Sequence, residues 1–100
     1  MRVGTAPISW GICEIPGWGP QRPYPQVLDE MARAGYAGTE LGPEGYLPAD
    51  PAVLGRELQA RNLALIAAFV PVNFRERARW RVELQKVERT ARLVARLGAR

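Results

Sequence analysis

Histidine is absent from the 100 residues, and cysteine occurs once, at Cys13. With no imidazole to activate it, Cys13 is read as a small buried residue and not as a nucleophile. A lone cysteine also excludes a disulfide framework within the chain, which fits a reducing compartment and a cytoplasmic address. Lysine too occurs once, at Lys86, so arginine carries nearly all the cation behind the net charge of +4. No run of 18 apolar residues is present, which excludes a membrane-spanning helix. The opening Met1-Arg2-Val3-Gly4-Thr5 lacks the charged-then-apolar pattern of an export leader. CxxC pairs, phosphate-binding loops, dinucleotide-binding glycine motifs and nucleophile elbows are all missing. No closely spaced set of carboxylates could hold a divalent metal unaided. A self-sufficient active site is therefore not visible.

What is present is an alternation. A first strand is predicted over residues 2–9, with Pro7 costing its later half a ladder donor. Residues 11–25 form a long stretch punctuated by glycine and proline. Trp10 and Trp18 argue against simple disorder there. A first helix follows over 25–34, with Val27, Leu28, Met31 and Ala32 as its apolar stripe and Gly35 beyond its end. A second strand over 36–41 leads into the turn Gly42-Pro43-Glu44-Gly45. Asp50 caps a second helix that begins at Pro51, buries Val53, Leu54 and Leu58, and stops at Asn62. The third strand, 63–70, reads LALIAAFV. Its continuous apolarity predicts burial on both faces, as in a parallel sheet. The third helix, 76–97, carries Trp80, Leu84, Val87, Ala91 and Val94 as the stripe expected to face the sheet, with Gly98 beyond it.

This βαβαβα order implies a parallel sheet. The fold class is α/β, the N-terminal (β/α)3 portion of a parallel (β/α)8 barrel, and residues 1–100 are one part of a single domain. Eight such units would need about 250 residues. Chemistry in such barrels sits at the C-terminal ends of the strands. Carboxylates, an amide and aromatics collect there, whereas the opposite ends read as plain turns. Glu40, a carboxylate in an apolar strand, needs a partner: a substrate hydroxyl, a proton to move, or an arginine in the barrel. Trp10 is a wall for a sugar ring or a plug of the barrel top. Phe69 is a substrate contact or core packing, and Asn73 a hydroxyl ligand or a helix cap. Glu14, Glu44 and Tyr46 lie on loops and are read as structural or solvent-exposed. The arginines at 75, 77, 79 and 81 fan around a helix start, diluted by Glu76 and Glu83, which predicts a solvated face and not a nucleic-acid surface.

Two segments carry a family resemblance. GTAPISWG, residues 4–11, resembles the first strand and turn of inosose dehydratases. AGYAGTELGPEGYLPAD, residues 34–50, resembles their second strand region, and NLALIAAFVPVNF, residues 62–74, fits their third. The group belongs to the xylose isomerase-like superfamily, also described as sugar phosphate isomerases/epimerases. The resemblance implies a parent enzyme that forms an enolate beside a ketone with the help of a divalent metal, manganese or cobalt. It implies that the metal ligands lie on later strands, so that this chain alone binds no metal. It places Trp10 and Glu40 at mouth-lining positions, with a polyol or keto-sugar as the small-molecule partner. The expected activity is that of an inosose dehydratase-like lyase. A sugar phosphate isomerase or epimerase is the rival within enzymes, and a non-catalytic α/β binding module the rival outside them. Standing alone, three open strands would leave sheet edges and apolar helix faces uncovered, which predicts self-association, pairing with a further fragment, or poor folding.

Overall fold

The computed structural model describes residues 2–12, 21–72 and 75–98. Its first strand, β1, is only Gly4–Thr5. Residues 7–9 of the predicted strand belong instead to a 3-10 turn, Pro7–Trp10. Proline costs that turn nothing at its first position, whereas within a ladder it would remove a donor, so the prediction of a strand to residue 9 is corrected. Helix α1 spans Tyr24–Arg33, and the chain leaves it through Gly35 at φ +89°. Strand β2 is Gly38–Glu40 and helix α2 is Pro51–Gln59. The Asp50 carboxylate accepts a 2.9 Å hydrogen bond from the Ala52 amide, the cap expected from the sequence. Asn62 takes the left-handed conformation at φ +56°. Strand β3 is Ala64–Ala67. A 3-10 turn, Arg77–Arg79, then leads into α3, Trp80–Arg96.

The strands pair in the order β1-β2-β3, parallel throughout. Gly4 stands beside Gly38, and Gly38 beside Ala64; Thr5, Thr39 and Leu65 form the next row. Glu40 then pairs with Ala67, which leaves Ile66 as one extra residue on β3. Thr39 and Leu65 point into the core beneath the helices, at 0% and 5% exposure. With them lie Val27, Leu28 and Met31 of α1, Leu54 and Leu58 of α2, and Leu41, Leu47 and Ile12 from the connections. The other face of the sheet is open. Ile66 lies across it at 40% exposure, over Gly4 and Gly38. A Cβ at Gly38 would come within 2.8 Å of the Ile66 Cγ2. The expectation that β3 is buried on both faces is thus corrected: only one side of its apolar run is covered.

The third helix differs from the reading of its sequence as well. Its buried side chains are Glu83 and Thr90, and Leu93, Val94 and Leu97 pack part-buried on the core. Trp80 and Leu84, from the predicted stripe, are 43% and 57% exposed. At 100° per residue the buried line through 83, 90 and 97 lies roughly 80° from that stripe. Glu83 tolerates burial because Lys86 and Arg79 approach its carboxylate at 3.2 Å and 3.7 Å.

Candidate functional site

The C-terminal ends of the three strands lie side by side because the pairing is parallel and nearly in register. Each end runs directly into an irregular segment: the Pro7–Trp10 turn after β1, the Leu41–Asp50 connection after β2, and Ala68–Val72 after β3. Two contacts hold the first two segments in place. Gly42 adopts φ +78°, and a Cβ there would fall 2.8 Å from the Pro7 Cγ. The glycine therefore allows both the turn and the close approach of the proline ring. On the far side of the β2–α2 loop, the Tyr46 hydroxyl donates a 2.5 Å hydrogen bond to the Arg22 carbonyl. Burial pushes the Tyr46 phenol above its ordinary pKa, because the phenolate would lose solvation there.

Glu40 closes β2. Alternation along the strand puts its side chain on the face of Gly38, opposite the buried Thr39, and so on the open side of the sheet. Its backbone carbonyl accepts from the Thr39 hydroxyl at 2.8 Å, and the Leu41 amide donates to the Ala67 carbonyl at 2.8 Å. The strand end is therefore held by the side chain that precedes it and, through Leu41, by β3. Among the described residues the Glu40 carboxylate has no ion-pair partner, so the barrel arginine considered from the sequence is not found there.

Phe69 follows β3 at 72% exposure. It lines a cleft of about 190 Å³ with Leu41, Gly42, Glu44, Lys86 and Thr90. The structure thus brings Phe69 to the turn that follows Glu40. Trp10 goes elsewhere: its ring meets Tyr36 edge-on, with centroids 6.2 Å apart and planes at 75°, and packs part-buried against the core. Asn73, Glu14 and Cys13 lie outside the described residues. Glu44, read from sequence as a loop carboxylate, pairs with Arg89 of α3 at 2.9 Å. Neither Lys86 nor Thr90 is marked as a site residue by its sequence context. A lone lysine and a threonine beside an apolar helical stripe were the only signals available.

Among the described residues no group of three or more histidine, cysteine, aspartate or glutamate side chains gathers to hold a metal ion. The described acidic side chains at this end of the sheet, Glu40 and Glu44, give two carboxylates, too few for a hard divalent cation without other donors. A resident metal does not fit the residues described.

No protein-family model matches the chain. An inosose dehydratase of Geobacillus kaustophilus is 36% identical over 100 residues, all of this chain and 32% of that protein. An inosose dehydratase of Salmonella typhimurium is 42% identical over 65 residues, covering 65% of this chain and 21% of its own length. A xylose isomerase domain protein from Alicyclobacillus acidocaldarius superposes with a TM-score of 0.70 at 25% identity, over 100% of this chain and 34% of that one. The chain therefore spans about a third or less of the length of the relatives it matches. The parallel βα order and that superposition make it three units of a xylose isomerase-like α/β barrel. Within that class its sequence places it beside the inosose dehydratases.

Proposed function

We propose that the chain supplies part of the substrate mouth of an enzyme that dehydrates an inosose or a closely related keto-polyol. The observation that carries this reading is the 36% identity to an inosose dehydratase along all 100 residues. The geometry supports it at one point above others. Glu40 ends β2 on the open face with no cationic partner among the described residues, where a substrate hydroxyl can meet its carboxylate. Phe69, exposed beside the next loop, offers an apolar surface for a ring.

The chemistry proposed for the parent begins with loss of the proton beside the ketone. The electron pair of that C–H bond forms a carbon–carbon double bond, and the carbonyl π pair moves onto oxygen, giving an enolate. The carbonyl then re-forms as the β-hydroxyl departs with a proton as water. Glu40 holds the substrate by its hydroxyls in this scheme or shuttles the proton. In this reading a divalent metal, manganese or cobalt, belongs to a longer parent. The same reading has a cytoplasmic protein whose partner is a small polyol, with neither nucleic acid nor membrane. It also includes self-association through the open edges of the sheet. No described helix is long and apolar enough to cross a membrane.

A second reading, isomerisation or epimerisation of a keto-sugar, is favoured by the superposition on a xylose isomerase domain protein. The two differ after the enolate: water leaves in one, and the proton returns in the other. Assay of the full-length protein with 2-keto-myo-inositol separates them. We expect an unsaturated, dehydrated product, and a loss of turnover on the order of a hundredfold or more in Glu40→Gln. Proton exchange with solvent without loss of water favours the second reading. Unchanged turnover in Glu40→Gln removes the residue from the site.

A further inference from the structure

A second cavity, of about 390 Å³, runs between the β2–α2 loop and the outer half of α3. Its base is apolar, with Leu41 and Leu47 at 5% and 3% exposure and Leu93 beside them. Its helical wall carries Arg89, Arg92 and Arg96. At 100° per residue these three guanidinium groups leave the helix within an arc of about 60°. They face one lining carboxylate, that of Glu44. Arg89 reaches across to it, with Nη2 and Nε 2.9 Å and 3.0 Å from Oε1. Arg92 pairs along the helix with Glu88, which is not among the lining residues. Arg96 forms no ion pair with a described residue. A cation in the last turn complements the helix dipole, which accounts for Arg96. It does not account for Arg89, two turns earlier, on the same side.

From this arrangement we infer a binding groove for a small organic anion with an apolar body. The carboxylate or phosphate end lies between Arg92 and Arg96, and the body rests on Leu47 and Leu93. The volume falls in the range of small-molecule sites, about 300–1,000 Å³. Planar guanidinium groups pair with both kinds of oxyanion in two-point fashion. Glu44 acts as an internal competitor: while it holds Arg89, it keeps the third guanidinium from the ligand. The assignment uses none of Glu40, Phe69 or Trp10, although Leu41, Glu44 and Thr90 line the Phe69 cleft as well.

The test is a titration of the purified protein, followed through backbone amide and arginine Nε–Hε signals. Phenyl phosphate and 3-phenylpropionate serve as probes and distinguish the two anion sources. Benzyl alcohol and inorganic phosphate supply the body and the charge separately. We expect at least one organic anion to shift signals of the 89–96 segment and the 44–47 loop, and both halves to bind roughly tenfold more weakly. Arg96→Gln should weaken binding by roughly tenfold, whereas Glu44→Gln should tighten it by freeing Arg89. This opposed pair is the signature, because loss of fold would weaken both. Equal binding of benzyl alcohol, equal binding of inorganic phosphate, or indifference to both substitutions overturns the assignment. A dispersed amide spectrum of each variant before titration establishes that it is folded.

Discussion

Helices α1 and α2 lie against the sheet as their sequences ask, and α3 does not. Val27, Leu28 and Met31 of α1 and Leu54 of α2 are all at 0% exposure. On α3, Trp80, Val82 and Leu84 remain 43%, 57% and 57% exposed, while Glu83 and Thr90 are buried. The difference follows from what each helix has to lie on. A helix that joins two parallel strands packs over both, and α1 and α2 each have two paired strands beneath them. Within the sheet described, α3 follows β3 at its edge and has a strand on one side only. The N-terminal part of its apolar stripe turns outward, capped by the Arg77 guanidinium 5.5 Å from the centre of the Trp80 ring. An apolar stripe is thus a statement about neighbours, and the same pattern yields a core or an open surface depending on which neighbours are there.

Substituting one leucine from α1 and one from α3 is the strongest way to break this comparison. Leu28→Ala removes a side chain with no exposure from the centre of the core. It should cost about 2–5 kcal/mol, because the lost transfer energy adds to that of the cavity. Leu84→Ala, at 57% exposure, should stay within about 0.5 kcal/mol. Urea midpoints of the two variants, compared at a common m-value, read the contrast directly. A large loss from Leu84→Ala would mean that in solution its side of α3 is covered, as self-association would require.

The loop after β2 offers a finer version of the same contrast, since one of its glycines is held and another is free. Gly42 and Gly45 share left-handed angles, φ +78° and +86°. Around Gly42 the Pro7 ring lies 2.8 Å from where a Cβ would be, and around Gly45 nothing lies within 4 Å. Alanine at either site meets the backbone penalty, about 1 kcal/mol. Only Gly42→Ala must also move Pro7, which should add about 1–2 kcal/mol. The excess of Gly42→Ala over Gly45→Ala in thermal or urea unfolding isolates the contact between the first two loops. Equal costs would show that Pro7 yields freely.

Much of this half of the molecule can be read from residue order, because the signals are local. Asp50 before Pro51, Gly35 and Asn62 after helices, and the turn at Gly42 each act within a few residues of themselves. The strands are shorter than their apolar runs because β pairing extends only where a neighbour runs alongside, and at β1 Pro7 redirects the chain. The site is less legible. Parallel order alone places Glu40 and Phe69 at one end of the sheet. The contact of Trp10 with Tyr36, the Pro7–Gly42 approach and the Glu44–Arg89 pair join residues 26, 35 and 45 positions apart. Periodicity carries no information about contacts at such separations. The outward turn of α3 was equally out of reach, since a helical wheel shows where the apolar side is and not what will meet it.

Ion pairs give the smallest effect and the sharpest test of whether burial alone distinguishes the two regions. Arg61, just beyond α2, reaches Asp29 of α1 at 2.6 Å and Glu57 at 2.7 Å, with its side chain 16% exposed. Burial acts to lower its pKa, but hydrogen bonds and charge from the two carboxylates outweigh that and leave it raised. The sign follows from linkage. A raised pKa means stability that is complete below the ordinary arginine range and is lost only as pH climbs through the folded value, so the pair stays charged at any working pH. Arg61→Gln should therefore cost about 1–2 kcal/mol, since the largely buried guanidinium that two carboxylates share is lost and α1 loses its tie to α2. Arg92 pairs with Glu88 on the outside of α3 with both side chains more than half exposed, so Arg92→Gln should cost less than about 0.5 kcal/mol. Repeating both in 1 M salt sharpens the distinction. The small Arg92 effect should vanish into screening, whereas most of the Arg61 effect should survive because solvent ions reach it poorly. If salt erased both alike, the contact between α1 and α2 would be as loose as the outer face of α3, and the contrast between the two regions would not extend to their charges.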